Sequence, residues 1–330
     1  MIQLCSNFLL LILILGISVS EKEFFTERGI DNSYSVYHQK VILAETLLAN
    51  EDLDAALDIY EDIFRTYDYV FLREYQLATQ IAIKLEKEEA VFFLRKGMEA
   101  GWTKKSIRKN DLLKGWLAND QGKALMLDYD TYHKRFLQGI NDTLRTQVHE
   151  MFKKDQKLAL KALFRLSSSA QDKFAEKKFA PHSEHQMHDL EFILDKIGYP
   201  GERIIGNNFW MSTILSHHNS ISQAYVLADS LYLKLRPKLF HALKKGDMSP
   251  QEFALIDEWR MATLTNPTEV SYGFLKAPYA LQLEKTDSLR ATIGLRSVRL
   301  RNQLVEVEEK TGIDLYLFGS PWVDGKIELR

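Results

Sequence analysis

Four small or apolar positions repeat at a fixed interval, and that interval constrains the fold more than any other feature of the chain. Ala44, Leu47, Ala56 and Leu57 return 34 residues later as Ala78, Ile81, Ala90 and Val91. Tyr37, Val41, Ala44 and Leu48 follow helical spacing, Asn50-Glu51-Asp52 interrupts it, and Ala56, Ile59, Tyr60 and Ile63 resume it on a second helix. The same reasoning predicts helices over about 70–86 and 88–100, the latter ended by Gly101. Small residues at the repeating positions let the two helices of a pair approach closely.

A helix-turn-helix period of 34 residues resembles the tetratricopeptide repeat. The chain departs from that pattern in lacking the Trp-Leu-Gly signature, and Leu94 stands where the first copy has Tyr60. Other antiparallel helix pairs produce similar matches, so the repeat and a plain helical stack both remain open. Either arrangement makes 34–143 a helical region, with Trp102, Trp116, Tyr129, Tyr132 and Phe136 as packing residues.

Phe8 to Ile17 is an apolar run followed by Ser18-Val19-Ser20 and the polar Glu21-Lys22-Glu23. That pattern predicts a signal peptide over 1–20, a flexible lead-in over 21–33, and export to the periplasm or beyond the cell. The run is too short to span a bilayer as a helix, and no other span is expected once it is removed. Cys5 lies within the leader and is the only cysteine, so the mature chain is expected to have neither disulfide nor thiolate site. The 43 basic and 45 acidic side chains nearly cancel, which argues against nucleic acid as a partner. Two basic clusters, Lys104-Lys105 with Arg108-Lys109, and Arg290, Arg296, Arg299 and Arg301, are expected to be solvated helix faces.

From Leu144 the pattern predicts a long amphipathic helix, then helices through Leu190–Ile197 and 207–218, the former stopped by Gly198-Tyr199-Pro200-Gly201. A further helix is expected over 287–310, and Ile313 to Ile327 reads as a short terminal β-hairpin or tail. The succession Asp155-Gln156, Asp189, Gly198-Tyr199-Pro200, Gly206, His218, Ser249-Pro250, Asp257, Tyr272-Gly273, Asp287, Arg290 and Gly294-Leu295 resembles a bacterial domain of unknown function, number six-six-two-four. The resemblance covers roughly 145–304 and implies a mostly helical domain with no assigned activity. The chain departs from it at Ala159, Asn219-Ser220, Glu258 and Phe274, where the family favours Arg, Ala-Asp, Arg and Thr.

The strongest enzymatic constellation is His218 with Asp257, supported by Asp155 or Glu258: a carboxylate-oriented histidine can act as general base on water. The competing assignment has His217 or His218 closing a helix and Asp257 pairing locally with Arg260. His182, His185 and His188 recur every three residues, fan around a helix and do not converge on one metal ion. No phosphate loop or dinucleotide fingerprint occurs, and no cofactor is expected.

These features predict an all-α protein: a tetratricopeptide-like stack over 34–143, a second helical domain over 144–310, and a hairpin or tail over 311–330. Such a chain reads as an exported, non-catalytic module that binds a protein or peptide. The alternative is a cofactor-free hydrolase using His218, Asp257 and Asp155.

Overall fold

Asp52 sets the first helix pair. Its side chain accepts the Ala55 N–H at 3.1 Å, so α2 (Leu53–Thr66) starts on a capped amide directly after α1 (Tyr34–Ala49). The computed structural model describes residues 33–165, 167–206, 209–264, 270–317 and 325–330. These residues are all-α, with no strand among them.

α1 packs on α2, and α3 (Leu72–Lys84) packs on α4 (Ala90–Glu99), giving two helix hairpins. Ala44, Ala56, Ala78 and Ala90 are all fully buried, so the repeating small positions lie where the helices meet. Short helices follow: α5 (Lys104–Lys109), α6 (Asp111–Trp116), α7 (Asp120–Leu127) and α8 (Tyr129–Gly139). Thr103, Asn110 and Asn119 cap three of them through side-chain oxygens. Trp102 and Tyr129 are buried in the core of this stretch, as packing residues should be.

The second half runs through α9 (Asp142–Leu163), α10 (Ser168–Phe174), a π-helical turn at Ala175–Phe179, α11 (Ala180–Lys196) and α12 (Glu202–Ile205). It continues through α13 (Trp210–His218), α14 (Gln223–Ala228), α15 (Leu231–Lys245) and α16 (Pro250–Leu264). A large core joins Val148, Leu190, Ile214, Tyr232, Leu239 and Phe253 from these helices.

The C-terminal region corrects two expectations. The helix expected over 287–310 is two helices, α17 (Leu283–Thr292) and α18 (Val298–Thr311). Gly294 breaks them at φ +74°, a left-handed conformation that costs a residue with a Cβ, and Ser297 caps the restart by accepting the Leu300 N–H. The second basic cluster is not a solvated face: Arg290, Arg296 and Arg301 are buried, and Arg299 alone is exposed. Charge spacing could not show this, because the groups that hold Arg290 and Arg296 are backbone carbonyls and a distant carboxylate. Of the hairpin or tail expected over 311–330, the described residues 312–317 and 325–330 carry no strand. Its segment 318–324 lies outside the described residues, while Ile327 bonds Asn302 and Arg330 bonds the backbone of Pro278 and Ala280.

α18 packs on α1, and Leu300, Leu304, Val307, Ile313 and Leu315 complete the core begun by Tyr37, Leu48, Tyr60 and Ile81. The end of the chain thus returns to its first helices, and residues 33–330 cluster as one compact unit.

Candidate functional site

Where the two large cores meet, a cavity of about 410 Å³ opens. α1 contributes His38, Ile42 and Glu45, and the start of α3 contributes Leu72, Arg73 and Glu74. The facing wall is Glu202 at the N-terminus of α12, Ser249 to Glu252 at the start of α16, and Gly294 with Arg296 in the break before α18. The volume lies within the range of small-ligand pockets, about 300–1,000 Å³.

Buried charge concentrates here. Glu45 is fully buried and lies 2.8 Å from Arg73 Nη1 and 2.5 Å from Arg296 Nη2, so one carboxylate serves two guanidinium groups. Arg73 also donates from Nε to the Leu315 carbonyl at 3.0 Å. Glu202 accepts the Leu72 N–H at 2.6 Å and the Tyr69 hydroxyl at 3.1 Å. Glu252 accepts the Tyr199 and Ser249 hydroxyls, each at 3.2 Å. Glu74 is buried, with Arg73 Nη1 as far as 3.9 Å away.

Desolvation governs the protonation of this wall. Burial pushes the Glu202 carboxyl up to about 8 despite its hydrogen bonds, and the neighbouring Glu74 and Glu252 charges push the same way. Burial likewise lifts Glu74 to about 7 against the pull of Arg73, and Glu252 to about 7 against its bonds to Ser249 and Tyr199. His38 has the opposite response to the same cause: burial holds its imidazole at about 3, hence neutral. His38 Nε2, Glu74 Oε2 and Arg73 Nη2 are buried without a hydrogen-bond partner among the described residues. Unpaired polar atoms at such positions carry the full cost of desolvation.

The residues singled out from sequence lie elsewhere and do not converge. His218 is fully buried, with Nδ1 2.9 Å from Ser183 Oγ and Nε2 3.4 Å from Asp229 Oδ1. Asp155 bonds His217 Nδ1 at 2.6 Å. Asp257 takes a two-pronged bond from Arg236, at 2.6–3.0 Å, and accepts the Tyr232 hydroxyl. None of His218, Asp257 and Asp155 bonds another of the three among the described residues, and none lines the cavity. The local pairing expected for Asp257 is also replaced: Arg260 reaches Asp229 at 2.9 Å instead. Glu258 is buried and accepts the backbone N–H groups of Gly273, Phe274 and Leu275, which fixes that loop.

Ser183, His218 and Asp229 form a serine-histidine-aspartate chain that sequence spacing did not reveal. Its serine is fully buried, so no substrate carbonyl can reach it, and Asp229 is spent on the α15 N-terminus and Arg260. Burial opposes the Asp229 carboxylate, but His218, the Leu231 N–H and Arg260 hold its pKa below the usual range. The chain is a packing network. Of the three spaced histidines, His185 pairs with Asp189 at 3.7 Å on an exposed face. No group of three His, Cys, Asp or Glu side chains among the described residues is arranged to hold a metal ion.

The fold and site define an all-α protein with a carboxyl-lined cavity at the seam of two cores. Comparison with family models, curated proteins and solved structures finds no match to this chain.

Proposed function

We propose that this protein is an exported, non-catalytic helical module that captures a small or peptidic ligand in the cavity between α1, α3, α12 and α16. The observation that carries this reading is the cavity itself, about 410 Å³ and lined by Glu45, Glu74, Glu202 and Glu252 with Arg73 and Arg296 among the apolar Val41, Ile42 and Leu72. The apolar leader at Phe8–Ile17 supports export, and the 34-residue offset supports a tetratricopeptide-like reading of α1 to α4. The resemblance of 145–304 to the six-six-two-four domain adds no activity. The hydrolase alternative is weakened because His218, Asp257 and Asp155 are engaged by three different partners, Ser183, Arg236 and His217.

Ile42 lines the cavity and is only half-buried, so Ile42→Trp fills space at little cost to the core. The full chain and this variant are incubated with small-molecule and peptide extracts, and retained species are identified by mass spectrometry. The reading predicts species retained by the wild type, lost from the variant and released chemically unchanged. Identical retention by both proteins contradicts it, and release of a converted product favours the enzyme.

A further inference from the structure

A second cavity, of about 590 Å³, adjoins the first. The two share His38, Ile42, Gly294 and Arg296 as a common wall. Their charges are opposite in kind. The first chamber gathers Glu45, Glu74, Glu202 and Glu252, and its two guanidinium groups are both engaged by Glu45. The second presents the exposed Lys244 at the end of α15 and Arg299 in the first turn of α18. Neither has a carboxylate partner among the described residues, and the Asp287 carboxylate on that wall is taken by the Val298 N–H at 2.7 Å. Of the shared residues, Ile42, Gly294 and His38 carry no charge and Arg296 is paired with Glu45.

We infer that the two chambers form one cleft for a short peptide with free ends, its ammonium group among Glu74, Glu202 and Glu252 and its carboxylate at Lys244 and Arg299. The inference rests on the binding reading above and names its ligand class. An ammonium group beside Glu74, Glu202 and Glu252 supplies the positive charge that lets these sheltered carboxyls ionise. Lys244 and Arg299 supply the donors that a carboxylate needs. Along α1 the second chamber is lined from Ser35 to Thr46, about 16 Å of helix at 1.5 Å per residue, and the first lies beside it from His38 to Glu45.

Mixed tetrapeptides with free ends, and the same mixture either N-acetylated or C-amidated, are dialysed against the full chain. Bound fractions are read by mass spectrometry. Each blocked end should lower retention at least tenfold. The surface double variant Lys244→Ala/Arg299→Ala should lose the discrimination against amidated ends only, and Glu74→Gln/Glu202→Gln the discrimination against acetylated ends only. Circular dichroism melting confirms that both variants are folded. Equal retention of free and blocked peptides overturns this inference while leaving a binding cavity in place. Retention of no tetrapeptide, alongside Ile42→Trp-sensitive capture of other species, also overturns it and spares the binding reading.

Discussion

Glu45 and Arg296, 251 residues apart in the chain, meet as a buried ion pair with Arg296 Nε 2.6 Å from Glu45 Oε2. This contact ties α1 to the break between α17 and α18 and holds one corner of the cavity. Glu45 also engages Arg73, so its loss strands two buried guanidinium groups, whereas loss of Arg296 leaves Glu45 paired. Breaking a buried pair from one side costs about 3–5 kcal/mol. Glu45→Gln should fall in that range and Arg296→Met clearly below it, as measured by urea denaturation. Equal costs would mean that Arg73 contributes nothing to the network.

Gly294 separates α17 from α18 and touches the cavity wall. Its φ is +74°, and a Cβ built there would sit 2.6 Å from the His38 Cβ. A left-handed conformation at a non-glycine residue costs about 1–2 kcal/mol before any clash is counted. Gly294→Ala should therefore destabilise by at least that amount and weaken ligand capture through displaced His38. A melting temperature equal to wild type would refute the packing described for this turn.

The acidity of the cavity gives a signed pH dependence. Glu202, Glu74 and Glu252 bind protons more tightly in the folded state than the ordinary value of 4.5, with folded values of about 8, 7 and 7. Between pH 4.5 and 8 the folded state therefore holds more protons at these sites, and their contribution to stability falls as pH rises. Below 4.5 both states are protonated and the contribution is fully present. Glu202→Gln removes one such group, so its melting temperature should gain on the wild type between pH 5 and 9. A difference independent of pH would show that Glu202 titrates normally.

Ser183 should matter to stability and not to ligand capture. Its hydroxyl lies 2.9 Å from the buried His218 Nδ1, and leaving a buried polar group unpaired costs about 1–3 kcal/mol. Ser183→Ala is expected to lose that much in denaturant titrations while retaining peptide as the wild type does. Lost capture without lost stability would instead return Ser183, His218 and Asp229 to the functional account.

Helical periodicity made much of this architecture legible. The apolar spacing of Tyr37, Val41, Ala44 and Leu48 and the turn signals at Asn50-Glu51-Asp52 locate α1 and α2, because local sequence determines helix formation and its ends. The cavity was not legible, since its walls come from residues as distant as His38, Glu202 and Arg296. A trace existed in α1: Glu45 sits between Ala44 and Leu48, on the stripe that goes inside, and a charge there requires a buried partner. Nothing local identified Arg296 as that partner. The His217-His218 pair drew notice for its chemistry, yet histidines at a helix end serve packing equally well, and only their neighbours show which role holds.

Burial raises the Glu74, Glu202 and Glu252 carboxyls to about 7, 8 and 7, so they hold protons near neutral pH. Side-chain carboxyl ¹³C titration of the full chain, assigned with Glu74→Gln, Glu202→Gln and Glu252→Gln, observes this directly. Without peptide, three signals should titrate near pH 7 to 8, and with saturating free-ended tetrapeptide they should move below pH 6. Titration of all three near 4.5, or midpoints that peptide leaves in place, would contradict it.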